Sequence, residues 1–204
     1  MKRIKPTLDI RGFEVFKGFL AAKQQAEMVA DLRKIIQAAP VFSPQTPHGS
    51  PMSVRMTSAG EFGWYSDAAG YRYIKLHPSG SAWPKIPTRI LDVWQAVSGA
   101  TRSPESCLIN FYGEGAHMGM HHDMDEADMR WPVVSVSLGD DGLFRIGGKT
   151  RNGTTETVWL SSGDVVVMGG SARSAYHGVD KIRYKSSRLL PNGGRVNVTL
   201  RVVT

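Results

Sequence analysis

A chain of 204 residues, 41% hydrophobic and 21% charged, is long enough to bury a core unaided and too ordinary in composition for a disordered or fibrous protein. Its single cysteine, Cys107, excludes an intrachain disulfide and fits a reducing cytosol, and no apolar run reaches the length of a membrane-spanning helix. The net charge of +7 favours a polyanionic partner, because clustered Lys and Arg release counterions when they meet phosphates.

The basic opening MKRIKPTLDI lacks an apolar centre and a cleavage site, so it does not read as a signal peptide. Residues 23–38 have helical periodicity, with Val29, Leu32 and Ile36 on one face and Pro40 just beyond the end. A Pro-, Ser- and Gly-rich stretch, PVFSPQTPHGSP, predicts a long surface loop entering the extended segment MSVRMTS. An aromatic stretch follows, with Trp64-Tyr65 and then Tyr71-Arg72-Tyr73. A second helix is predicted over about 86–98, with Ile86, Ile90, Val93, Trp94 and Val97 as its buried stripe.

From about residue 105 the pattern changes. Short strand-like runs alternate with turns: CLINFY, HMGMHH, VVSVSL, LFRIG, ETVWL, DVVVMGG, SAYHGV and RVNVTLRVV. The simplest architecture is mostly β with N-terminal helices (α+β), a jelly roll or double-stranded β-helix with supporting helices. We divide it into an N-terminal extension with a helix (1–50), a nucleotide-contacting segment with a support helix (51–104) and the double-stranded β-helix core (105–204), forming one structural domain. Lys181, Arg183, Lys185 and Arg188 crowd a stretch without an acid, which reads equally as a phosphate-binding patch or as a solvated loop.

Three features of the second half carry chemistry. His121 and Asp123 stand two apart on an extended segment, so imidazole and carboxylate point to one side. His177 lies in a later strand-like run. Two histidines and a carboxylate make the facial triad of non-haem Fe(II), with positions left open for substrate and oxygen. In the last strand Val196, Val198, Leu200 and Val202 line one face and Arg195, Asn197, Thr199 and Arg201 the other. That polar face is either solvated or, if turned into a barrel, in need of an anion, because unpaired buried charge is costly. A dicarboxylate would suit the planar fork of arginine, and Asn110 and Tyr112 could add an amide and a hydroxyl.

From Met52 to the C-terminus the chain resembles the bacterial AlkB family of oxidative DNA-repair demethylases. The matching stretches are MSVRMT, GWYSDAAGYRY, CLINFYGEGAHMGMHHDMDE, VVSVSLGDDGLFRIGG, GDVVVMGG, YHG and RVNVTLR. The resemblance implies Fe(II) held by His121, Asp123 and His177. It also implies 2-oxoglutarate contacted by Asn110, Tyr112, Arg195, Asn197 and Arg201, with Arg201 on the distal carboxylate, and O2 as second substrate. Trp64 would stack the target base against His121, Tyr71 and Tyr73 would sit beside the lesion and its phosphate, Asp125 would face the damaged base, and Arg151 would contact substrate. His122 would point away from the metal. Met124 and Met168 depart from the family's pattern.

The implied reaction is oxidative N-demethylation of N1-methyladenine and N3-methylcytosine, with release of formaldehyde, succinate and CO2. The implied substrate is single-stranded DNA, with duplex DNA and RNA as further substrates, handled by a cytoplasmic monomer without a membrane partner. The rivals are the same chemistry on tRNA or protein, and a non-catalytic nucleic-acid-binding module on this scaffold.

Overall fold

The structure, a computed structural model, describes residues 4–46 and 48–204; the first three residues of MKRIKPTLDI and Pro47 of the predicted loop lie outside them. Short strands β1 (Leu8–Ile10) and β2 (Phe13–Phe16) precede helix α1 (Ala22–Ala38). Strand β3 (Arg55–Gly60), the hairpin β4 (Gly63–Asp67) and β5 (Gly70–Ile74), and helix α2 (Thr88–Val97) follow. The second half holds β6 (Ser106–Tyr112), β7 (Met118–His121), β8 (Val133–Gly139), β9 (Asp141–Ile146), β10 (Glu156–Leu160), β11 (Val165–Met168), β12 (His177–Arg183) and β13 (Arg195–Arg201). Each predicted run of that half is therefore a strand, and both helices lie within two residues of their predicted bounds. No helix among the described residues is long and apolar enough to cross a membrane.

Two antiparallel sheets make the framework: a seven-stranded one in the order β1-β2-β11-β8-β13-β6-β3 and a four-stranded one in the order β10-β9-β12-β7. The N-terminal residues are not an appendage, since β2 pairs with β11 and extends the larger sheet. This placement was missed because β1 is three residues long and its burial is partial, which leaves no readable alternation. The buried turn carboxylate of Asp164 receives the Gly18 amide at 2.7 Å and the Lys17 ammonium, and so ties the N-terminal strand to the β10–β11 turn.

The larger sheet has two buried faces. Val134, Val136 and Leu138 of β8 and Val196, Val198 and Leu200 of β13 pack with α1 and α2 in one apolar cluster. Burying each such side chain contributes roughly 1.5–3 kcal/mol. On α1 the buried residues are Met28, Val29, Leu32 and Ile35, whereas the predicted Ile36 is only half-buried. Spacings 29-32-36 and 28-32-35 are both permitted on one helix face, and packing on the sheet selects the second. The opposite sheet face, between the two sheets, is closed by Phe13, Val133, Phe144, Ile146 and Val179 in a second cluster. The interior between the sheets also receives the alternate residues of β13, so the RVNVTLR polar face turns inward and is not a solvated surface.

Candidate metal centre and its two cavities

β7 and β12 are neighbours, and their register sets His121 directly opposite His177. Asp123 follows in the loop that leaves β7. The His121 Nδ1 lies 2.9 Å from the Gly119 carbonyl and the His177 Nδ1 lies 3.2 Å from the Ala175 carbonyl. A carbonyl only accepts, so each Nδ1 donates to it and, in the neutral ring, each Nε2 keeps its lone pair. Those lone pairs face one carboxylate, with His121 Nε2 3.8 Å from Asp123 Oδ1 and His177 Nε2 4.0 Å from Asp123 Oδ2. One ligand atom from each of the three residues lies within 4.8 Å of the others, a spacing that a single cation can bridge. The backbone carbonyls behind the rings fix tautomer and orientation, as outer partners of metal-bound histidines do.

Electrostatics keep the carboxylate ionised. Burial would raise the pKa of Asp123, but the positive charge of Arg201, with smaller contributions from His177 and His121, holds the carboxyl well below the usual range. Burial pulls the His177 imidazole down to about 4, so the ring is neutral at physiological pH and available as a ligand. Arg201 Nη2 donates to Asp123 Oδ2 at 2.7 Å.

The far end of the same cleft is built around Arg195. Its Nη2 donates to Ser137 Oγ at 2.7 Å and its Nη1 lies 3.3 and 3.2 Å from the Asp140 and Leu160 carbonyls, while Nε has no partner. No carboxylate pairs with it among the described residues, although the side chain is 1% exposed. Arginine does not shed its proton, so this buried charge calls for an anion. Gly142 makes room for the guanidinium, because a Cβ at that position would stand 2.8 Å from Arg195 Nε. Tyr112 lines the same cleft, its hydroxyl pushed up to about 12 by burial and opposed by the charge of Arg195. Asn197 lines it too, but its amide is committed to Ser135 Oγ at 2.7 Å and the Val136 carbonyl at 3.2 Å. Asn110 borders both this cleft and the next cavity, with a buried Oδ1 that meets no donor.

A cavity of about 150 Å³ opens on the other side of His121. Its walls include Trp64, Tyr71, Leu108, His121 and Asp125. Trp64 and Tyr71 stack across the β4–β5 hairpin with ring centroids 5.4 Å apart, and Trp64 Nε1 donates to Asp125 Oδ2 at 2.8 Å.

Other expected contacts fall elsewhere. Tyr73 is turned inward, where its hydroxyl donates to Glu126 Oε1 at 2.5 Å, and it borders neither cavity. Arg151 is exposed in the β9–β10 loop, also outside both linings. His122 borders the cavity that holds Trp64 and stacks on Tyr176 at 4.5 Å, so it does not simply point away. Met168 lines the cleft and Met124 is exposed.

The residues that sequence reasoning passed over form the support of the site. Arg173, in the turn before β12, donates through Nη2 to Glu126 Oε2 at 2.5 Å, through Nη1 to the Asp123 carbonyl at 2.5 Å and through Nε to the Trp131 carbonyl at 3.0 Å. Arg201 Nε stands 3.2 Å from Glu126 Oε1, off the line of a hydrogen bond. Asp123 is thus held by its carboxylate and by its own backbone. The signals were present: a lone arginine in SARSAYHGV, and serines alternating with valines in a strand buried on both faces.

Residues 12–201 match the model of the 2OG-Fe(II) oxygenase superfamily. The chain is 48% identical over 198 residues to an alpha-ketoglutarate-dependent dioxygenase AlkB homolog of Caulobacter vibrioides, covering 97% of this chain and 90% of that protein. It is 38% identical over 170 residues to the alpha-ketoglutarate-dependent dioxygenase AlkB of Escherichia coli, covering 81% and 77%. The solved structure of OsALKBH1 superposes with a TM-score of 0.82 at 28% identity, covering 96% of this chain and 99% of that one.

Proposed function

Since the chain belongs to the AlkB-type alpha-ketoglutarate-dependent dioxygenases of the 2OG-Fe(II) oxygenase superfamily, we propose that it removes methyl groups oxidatively from alkylated bases in DNA, with N1-methyladenine and N3-methylcytosine as the lesions. It is an Fe(II)- and 2-oxoglutarate-dependent enzyme that consumes O2. The observation that carries the reading is the junction at His121, one ring bordering both a cleft that ends in an uncompensated guanidinium and a cavity walled by the aromatic rings of Trp64 and Tyr71.

The donor set fits the group it would hold. Two imidazoles and one ionised carboxylate suit Fe(II) with open positions, and the unpaired Nε of Arg195 suits a carboxylate oxygen. When bound, iron with O2 would supply the hydroxylation of an N-methyl carbon as 2-oxoglutarate is converted to succinate and CO2, and the hemiaminal product would release formaldehyde.

The protein's part is placement. Arg195, backed by Tyr112 and Ser137, holds the distal carboxylate. Arg201, which the sequence reading put in that role, is spent instead at the metal end on Asp123 and Glu126. Asn197 shapes the wall without a spare amide hydrogen. Trp64 and His121 enclose the target base, and Tyr71 leaves the Trp64 face as the base enters. Asp125, steered by Trp64 Nε1, presents a carboxylate to a lesion that is cationic, which favours methylated over neutral bases. A base inside a duplex cannot reach the cavity, so a single strand or a flipped nucleotide is the substrate form.

Formaldehyde and succinate are to be measured from an N1-methyladenine oligonucleotide, with an unmethylated strand as control. Methyl-dependent release of both is expected. Succinate without formaldehyde would move the substrate elsewhere, and neither product from folded, iron-loaded protein would overturn the reading.

A further inference from the structure

The smaller sheet has an outer face that the reaction does not use. On β9, Asp141, Leu143 and Arg145 point outward while Gly142, Phe144 and Ile146 point in. β12 pairs with it so that Lys181 faces Leu143 and Arg183 faces Asp141, which puts both cations on that outer face. The two acids of the face are already spent. Asp180 accepts from Arg145 at 2.6 Å and Asp141 pairs with Arg183 at 3.1 Å. Among the described residues no carboxylate pairs with Lys181, Lys185 or Arg188, and all three are exposed. Arg183 lies over the ring of Trp159 on β10, 4.3 Å from its centroid.

The loop after β12 is ordered from within. The buried carboxylate of Asp140 accepts the backbone N–H groups of Lys185 at 2.8 Å, Ser187 at 2.9 Å and Gly194 at 2.6 Å. Lys185 and Arg188 are therefore displayed on a pinned loop. At the other end β12 begins at His177 itself, and the β9–β10 loop bearing Lys149 and Arg151 is joined to Tyr176 by backbone hydrogen bonds of 2.8 and 2.9 Å. At about 3.3 Å per residue, Lys181 stands about 13 Å along the strand from His177 and Arg183 about 20 Å.

We propose that this face is a track for single-stranded nucleic acid: the strand flanking the target base leaves the cavity beside the Lys149–Arg151 loop and runs along β12, its phosphates meeting Lys181, Lys185 and Arg188. The inference rests on the proposed nucleic-acid substrate and names where the rest of that substrate lies. The charge is positive, lies on and beyond the strand that begins at His177, and is unpaired with any carboxylate among the described residues, and Trp159 under Arg183 adds an aromatic-backed cation. Binding by such a track is electrostatic and indifferent to sequence.

The test compares the full chain with the variant Lys181→Ser/Lys185→Ser/Arg188→Ser by fluorescence anisotropy over a range of salt, using an unmethylated single strand long enough to run past Arg188. Three fewer phosphate contacts should flatten the slope of log affinity against log salt by about 2, at about 0.7 per contact. The charge-keeping variant Lys181→Arg/Lys185→Arg/Arg188→Lys should restore the slope. A trinucleotide with a central N1-methyladenine, held by its lesion in the cavity and too short to reach Lys181 from there, should bind both forms alike. An unchanged slope on the long strand, an equal loss on the trinucleotide, or a slope change seen only with duplex would each overturn the proposal. Because the assay reads binding and not turnover, failure of demethylation would refute the proposed reaction without touching this result.

Discussion

Replacing Arg173 with methionine should be the most damaging single change outside the metal ligands. The guanidinium is 3% exposed and the Glu126 carboxylate 2%, so neither has solvent to fall back on. Without Arg173, Glu126 keeps as a cationic partner only the Arg201 Nε at 3.2 Å, which makes no hydrogen bond to it, and breaking a buried pair in this way costs about 3–5 kcal/mol. With a urea m-value of about 2 kcal/mol/M, the unfolding midpoint of the metal-free protein should fall by roughly 1.5–2.5 M. The loss belongs to the stranded charge, so Arg173→Met/Glu126→Gln should regain part of it, since the amide keeps an oxygen for the Tyr73 hydroxyl. Metal affinity should drop by about 10- to 100-fold, because the Asp123 carbonyl loses its donor, and titration with Co(II) followed by its visible bands reads this directly. Arg173→Lys should recover stability more than metal affinity, as one ammonium cannot reproduce three divergent donors. A loss below about 1 kcal/mol in Arg173→Met, or a double variant weaker than the single one, would refute the assignment.

Arg195→Gln should raise the dissociation constant for 2-oxoglutarate at least about 30-fold, equivalent to 2 kcal/mol, measured by calorimetry on the metal-loaded protein; an unchanged value would return the anchor to Arg201. Asp123→Ala should abolish turnover and also destabilise the fold, because Arg201 loses its hydrogen-bonded partner, whereas Asp123→Asn should cost less; equal stability of both variants in urea would count against that pairing. Trp64→Ala should raise the KM for a methylated oligonucleotide about 5- to 150-fold, matching 1–3 kcal/mol of stacking, and leave 2-oxoglutarate binding alone. With His177 pulled to about 4 from an ordinary value near 6.5, the unfolded chain takes up a proton between those values that the folded chain refuses. Stability of the metal-free protein should therefore fall on acidification through that window, with a shallower fall in His177→Gln; parallel curves would remove burial as the cause.

Much of the architecture could be read because the chain uses two clean periodicities. The β13 valines alternate with polar residues, and β8 combines Val134, Val136 and Leu138 on one face with Val133, Ser135 and Ser137 on the other. A strand buried on both faces with serines among its valines announces an interior that contains polar groups. The metal triad was legible for a similar reason, since His121 and Asp123 share a side and His177 begins the neighbouring strand. What could not be read depended on distant partners. Tyr73 stands two residues from Tyr71 and looks equivalent to it, yet Glu126 captures its hydroxyl. Nothing local marks β1 and β2 as sheet members, because their identity comes from pairing with β11.

The two arginines of β13 show where such reading stops. In RVNVTLR they are six residues apart on one strand face, and any argument from alternation or from side-chain chemistry treats them alike. They differ only in what the fold brings opposite them. Arg201 meets Asp123 and Glu126, so its charge is balanced inside the protein and its work is to keep a ligand carboxylate ionised and aimed. Arg195 meets a serine hydroxyl, two carbonyls and the bare backbone of Gly142, and its charge stays uncompensated. A buried guanidinium without a counter-ion is tolerable only where a bound anion completes it, so in the proposed function the residual charge, and not the residue type, is what assigns the cosubstrate to Arg195. The same accounting explains why the outer cations of β12 and the loop after it point to a polyanion: their neighbours Arg145 and Arg183 have used the available acids, and Lys181, Lys185 and Arg188 remain.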